Sequence, residues 1–149
     1  MKSEVDPITD DEWLLRRVHR DRFRTDKIPR VSPNAFEPRI KGRDPDTDGI
    51  SLYREQCNND PAAILAKIPE ANQCDIAIVR IQVSFLKSMK LSVRNAPDEP
   101  IKGHVVIPEL NSRDYEMKKA DFIQIKLDLA EEASKDQNIV KYPTIWEAQ

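Results

Sequence analysis

Five arginines, Arg16, Arg17, Arg20, Arg22 and Arg24, crowd around His19 in the stretch EWLLRRVHRDRFR, residues 12 to 24. A guanidinium is a planar fork of donors that suits phosphate and carboxylate, so the chemistry these residues point to is recognition of an anion. From Trp13 to Arg43 there are ten basic residues against three acidic ones, a local +7 in a chain of net charge -2, which leaves -9 on the remainder. The electrostatics are therefore local, and the whole chain has no field to draw in a polyanion. Arg39 follows Pro38 directly and lies three residues beyond Phe36, on stiff backbone, and a rigidly held arginine loses little freedom on binding. Arg16, Arg17, Arg20, Arg24 and Arg39 are accordingly the candidate binding residues. The partner they suit is another protein with an acidic surface, whose contact can end where the basic segment ends. Being surface charges, Arg16, Arg20 and Arg24 are expected to be replaceable at little cost in stability. A run this rich in charge also fits a solvated face with no partner.

Nucleic acid is expected to bind only weakly, because Trp13, Phe23 and Phe36 are needed for the core and a single-strand stacking platform lacks its parts. An enzyme acting on nucleic acid or nucleotide is the alternative. His19 and His104 are the two histidines of the chain, and paired histidines with cationic neighbours cleave RNA by general acid-base catalysis without a metal. That site would gather His19, Arg17, Arg39 and His104, with Tyr53 or Glu109 completing it. An ADP-ribosyltransferase-like arrangement, with an arginine on a first strand holding NAD and a later glutamate directing transfer, would cast Arg17, Ser51 and Glu109. Neither comes with a strong motif. Three glycines cannot supply GxGxxG or a P-loop, and Cys57 and Cys74 form no CxxC and have no neighbouring histidine, so they read as two reduced thiols, without a metal. The sequence thus favours a non-catalytic accessory protein with no cofactor. One observation separates the classes: convergence of His19, Arg39 and His104 in a concave pocket favours the enzyme, and arginines spread over a flat face favour the binder.

The elements that must position these residues are legible in part. A chain of 149 residues with 39% hydrophobic and 34% charged residues has the length and composition of one soluble domain. Residues 1–12 are expected to be a flexible acidic flank, which does not look like a signal peptide, and no apolar run approaches the ~20 residues that cross a bilayer. A cytoplasmic protein with no membrane contact is expected. Pro29, Pro33, Pro38 and Pro45 make 27–49 a winding segment, with NAFEPRI as a short edge strand and DPDTDG as a polar turn. ISLYRE alternates as a strand in which Ile50, Leu52 and Arg54 share a face. Asp60 and Pro61 start a short helix that Pro69 ends. CDIAIVRIQV is the strongest strand and belongs inside a sheet. Ser84 is read as the cap of a helix over FLKSMK, LSV and GHVVIPEL as strands, and IVKYPTIW as a closing strand. The segment 115–136 alternates at Ile123, Ile125, Leu127 and Leu129, but its length and helix formers predict a long helix. The sum is an α+β domain: a mixed sheet, a few short helices and a longer C-terminal helix.

The elements EWLLRRV, RVSPNAFEPR, DGISLYRE and, more distantly, GHVVIPE resemble a group of small uncharacterised bacterial proteins with an RRV start, an S-x-x-AF-x-PR segment and a DG-[IL]-S strand. The resemblance covers about the first 55 residues. It implies a bacterial cytoplasmic protein that works beside other gene products, and it directs attention to Arg16, Arg17, Ala35, Phe36, Pro38, Arg39, Gly49 and Ser51. It transfers no activity.

Overall fold

β-branched and aliphatic runs build six strands: β1 (Trp13–His19), β2 (Ile50–Arg54), β3 (Ile76–Gln82), β4 (Arg94–Asn95), β5 (His104–Ile107) and β6 (Ile139–Lys141). They form one sheet in the order β4-β5-β2-β1-β3-β6 in a computed structural model that describes residues 2–24, 30–97 and 101–143. The α+β class is as expected, but every ladder is antiparallel, where a mixed sheet was predicted. The crossover from β2 to β3 passes over β1 and so does not join neighbours, which removes the parallel pair such a connection would otherwise make.

That crossover explains why neither side of β1 looks clean in sequence. Leu14 and Val18 enter the main core with Ile50, Leu52, Val79 and Ile81, beneath helix α3 (Ile123–Ala133), which buries Leu129 and Ala133. Leu15 faces the other way, into a smaller core with Tyr53, Ile64, Leu65 and Ile78, where Ile64 and Leu65 come from the crossover. Both faces of β1 are covered at its start, so period-2 patterning has no polar side to show.

Several local readings shift. NAFEPRI is no edge strand: Pro33–Phe36 is a 3-10 turn whose first backbone donor is capped by the Ser32 hydroxyl, and it delivers Phe36 to the core with no exposed surface. Asp60 caps the Ala62 N–H at 2.9 Å and Pro61 opens the element, as read, although the turn is 3-10. Helix α1 (Val83–Ser88) begins at Val83, so Ser84 lies inside it and Gln82 holds the cap position without a side-chain bond. LSV forms no strand; the short β4 begins after it. The long C-terminal helix breaks into α2 (Ser112–Met117), a 3-10 turn at Lys119–Phe122, and α3. The break falls at Lys118, whose backbone leaves the helical region, and Phe122 then packs edge-on to Tyr115 at 5.2 Å. Of IVKYPTIW, residues 139–141 are strand; 144–146 lie outside the described residues.

Residues 2–12 contribute a buried polar cluster. Arg54, on the core face of β2, and Glu12, just ahead of β1, are both fully buried. They form a bidentate pair, Nε to Oε1 at 2.8 Å and Nη2 to Oε2 at 2.9 Å. Arg54 also donates to the carbonyls of Asp6 at 2.8 Å and Pro7 at 3.2 Å. Glu12 receives the Thr9 N–H at 2.9 Å and Lys2 Nζ at 3.1 Å.

Gly49 precedes β2 with φ +115°, and a Cβ there would lie 2.1 Å from the Ile107 carbonyl oxygen. Substitution must strain the turn and push β5 away from β2. Gly49→Ala is expected to destabilise the protein by about 2 kcal/mol or more, read from urea unfolding with an unchanged m-value.

Candidate anion-binding cleft

The β1 to β2 ladder is short. It pairs Leu14 with Arg54 and Leu15 with Tyr53, whereas the flanking ladders run on to His19 against Ile76 and Ile50 against Ile107. β1 and β2 therefore part after Leu15 and Tyr53, in the middle of the sheet. Arg16 occupies the parting: its Nη1 donates to the Ser51 carbonyl at 2.7 Å, and its Nε and Nη2 donate to the Ala35 carbonyl at 3.0 and 2.7 Å. Its guanidinium also lies 5.8 Å from the centre of the Phe36 ring. Burial pushes the Arg16 pKa down to about 10; Asp46 counters this while Arg17 and Arg39 add to it. Arg16 stays charged at neutral pH.

Arg16 is thus a structural residue, contrary to the expectation that it could be removed freely. Arg16→Ser leaves two carbonyls without their donors, and a loss of about 2 kcal/mol is expected. Thermal unfolding of Arg16→Ser beside the wild type checks it.

Three adjoining cavities open at this parting, of about 560, 340 and 330 Å³. Arg17 and Arg39 line all three. Arg17 projects from the face of β1 opposite Arg16, with its guanidinium 5.3 Å from the Tyr53 ring centre and Nη1 3.4 Å from the Ile64 carbonyl. Arg39 is exposed, but its backbone is fixed: its N–H donates to Asp46 Oδ2 at 2.7 Å and its carbonyl receives the Asp46 N–H at 2.8 Å. The DPDTDG turn therefore folds back to hold the winding segment at the cleft.

The largest cavity carries Arg16, Arg17, Arg22, Arg39 and Lys41 against the single acid Glu37. The third mixes Arg17, Arg39 and Lys67 with Asp44, Asp46 and Asp48, and adds Ser51, Tyr53 and His104. One end of the cleft is cationic and the other is rich in both donors and acceptors.

His19 lines the first two cavities and His104 the third. Each shares its space with Arg17 and Arg39, but the two histidines do not face one cavity. A two-histidine acid-base pair is therefore not assembled. His19 is exposed, and its Nδ1 accepts the Asp21 N–H at 3.2 Å. Glu109 lies elsewhere: its carboxylate receives Ser92 N–H at 2.8 Å and Ser92 Oγ at 2.7 Å, and it lines none of the three cavities. Of the ADP-ribosyltransferase-like set, Arg17 and Ser51 meet and Glu109 does not join them. Tyr53 is nearly buried in the smaller core, with its ring against Arg17 and His104.

Arg20 and Arg24 line none of these cavities. Arg30 shows another use of the arginine-rich stretch, with its guanidinium 5.1 Å from both the Phe23 and Tyr142 ring centres. Arg22 and Lys41, singled out only as part of the basic count, line the cationic end, and Asp46 anchors it. For Lys41 and Asp46 the signal is the Pro-rich stretch, which folds back toward β1, whereas Arg22 lies in the turn directly after β1.

Cys57 is buried and Cys74 exposed, and neither is in a disulfide among the described residues. Among the described residues no group of three His, Cys, Asp or Glu could hold a metal ion, and no helix is long and apolar enough to cross a membrane. The fold and site define an α+β protein with an arginine-lined cleft where the two central strands part. Comparison of the chain with protein-family models, curated proteins and solved structures gives no match.

Proposed function

We propose that the chain binds a phosphate-bearing small molecule in this cleft, with a nucleoside diphosphate as the class that fits best. The observation that carries the reading is the pair Arg17 and Arg39, shared by all three cavities and joined at one end by three more cations against one acid. Cations gathered in a concavity are matched by a compact anion more readily than by a broad protein face, and more than one phosphate is needed to balance them. The volume of about 560 Å³ at the cationic end lies within the usual range for ligand sites.

The second reading, an accessory protein docking an acidic partner, rests on the density of arginine in the N-terminal third and would engage Arg20 and Arg24 as well. Isothermal titration of the full chain with ADP, AMP, pyrophosphate, an oligoglutamate peptide and a random oligonucleotide separates the two. The proposal expects ADP to bind more tightly than AMP, and both more tightly than the peptide or the oligonucleotide. Preference for the peptide would transfer the assignment to protein docking.

A further inference from the structure

His104 and Ser51 make a contact that anion binding alone does not require. Both lie on the cleft face of the sheet, on neighbouring strands β5 and β2, and both line the third cavity with Arg17 and Arg39. His104 Nε2 is 2.8 Å from Ser51 Oγ, and Nδ1 is hydrogen-bonded to the Ala96 carbonyl. A carbonyl oxygen only accepts, so Nδ1 carries the hydrogen, and in the neutral ring Nε2 is left to accept. The Ser51 hydroxyl then donates to Nε2. The backbone holds this arrangement on both sides, since Ala96 N–H donates to the His104 carbonyl at 3.0 Å and Arg16 holds the Ser51 carbonyl at 2.7 Å. A hydroxyl on a base whose other nitrogen is oriented by a third group is the arrangement that activates a serine nucleophile.

We propose that Ser51 is a nucleophile activated by His104 and that it takes a phosphoryl group from the phosphate compound held by Arg17 and Arg39. The identity of the phosphoryl donor rests on the phosphate reading above; the dyad does not. With a nucleoside diphosphate, His104 Nε2 accepts the Ser51 proton as Oγ forms a bond to the terminal phosphorus. The bond from that phosphorus to the bridging oxygen breaks, and the nucleoside monophosphate departs with the electron pair. His104 passes that proton to the oxygen of the departing monophosphate; water then attacks the phosphoserine, His104 Nε2 taking a water proton and giving it to Ser51 Oγ as the bond from phosphorus to Oγ breaks, which restores Ser51 and releases inorganic phosphate. Arg17 and Arg39 would offset charge on the phosphoryl oxygens as the leaving bond lengthens. No oxidant, reductant or metal enters this balance.

The test uses the full chain and a fluorophosphonate probe, in which Oγ attack on phosphorus expels fluoride. The expected result is one adduct per chain, mapped to Ser51 by peptide mass spectrometry and absent in Ser51→Ala. His104→Gln, which can still hydrogen-bond but takes up no proton, should label ~100-fold more slowly. Absence of a Ser51 adduct in folded wild-type protein, or equal labelling of wild type and His104→Gln, would overturn the proposal. ADP titration of Ser51→Ala distinguishes the two claims: labelling of wild type with no ADP binding in either protein removes the phosphate donor and leaves the nucleophile, whereas retained ADP binding with no Ser51 labelling removes the nucleophile alone.

Discussion

Arg54→Met is expected to cost about 3–5 kcal/mol of folding stability, the largest single loss in the molecule, because it leaves the Glu12 carboxylate buried without its bidentate partner. Methionine fills part of the volume, so the loss reports the stranded charge and the carbonyls of Asp6 and Pro7 that lose their donor. The cluster also makes stability depend on pH. Burial raises the Glu12 pKa, but donors from Arg54, Thr9 and Lys2 outweigh it, and the net position is below the ordinary carboxylate value. A carboxylate with a depressed folded-state pKa contributes stability that is fully present above its unfolded value, near 4.3, and is lost as the pH falls through the folded one. Urea unfolding from pH 7 down to pH 3 should show a steeper fall below about pH 4.3 in the wild type than in Glu12→Gln. Equal slopes would show that Glu12 is not the linked group.

This cluster shows both how much a sequence reveals and where it stops. ISLYR alternates so that Ile50, Leu52 and Arg54 share a face, and that face is buried. The pattern places Arg54 inward. It does not say what neutralises it, because Glu12 lies 42 residues away and belongs to what reads as an acidic flank. The strong strand β3 and the inward Phe36 were legible because each follows from local chemistry: β-branched alternation and a lone aromatic in a stiff segment. The break at Lys118 was not, since every residue around it tolerates a helix and the interruption is made by packing.

The candidate site divides in the same way. Arginine density marks the region, but the fates of the arginines depend on partners distant in sequence. Arg16 was read as a surface binder and instead closes the gap between strands through Ala35 and Ser51. Arg17 and Arg39 reach one cleft because Asp46 folds the DPDTDG turn back, a contact no motif announces. In sequence Ser51 belongs with an ADP-ribosyltransferase-like set and His104 with a two-histidine one. Their pairing follows from the register of β2 against β5, which places them diagonally on the same face.

The second large effect concerns binding. Charge-assisted hydrogen bonds to phosphate contribute about 1.5–3 kcal/mol each, so Arg17→Met and Arg39→Met should each weaken ADP binding by roughly 10- to 100-fold. Arg39 is the cleaner position, because its side chain is exposed while its fixed backbone bonds remain in the variant. Arg17→Met gives up the contact with Tyr53, and its melting temperature is measured alongside to separate folding from affinity. Arg20→Met, outside the cavities, is the control. Calorimetric titration of ADP into wild type, Arg39→Met and Arg20→Met at one fixed salt concentration tests the anion-binding cleft most directly. A Kd at least about tenfold weaker in Arg39→Met, with Arg20→Met unchanged, is the result expected of the cleft; ADP binding that is absent in the wild type, or lost equally in both variants, would contradict it.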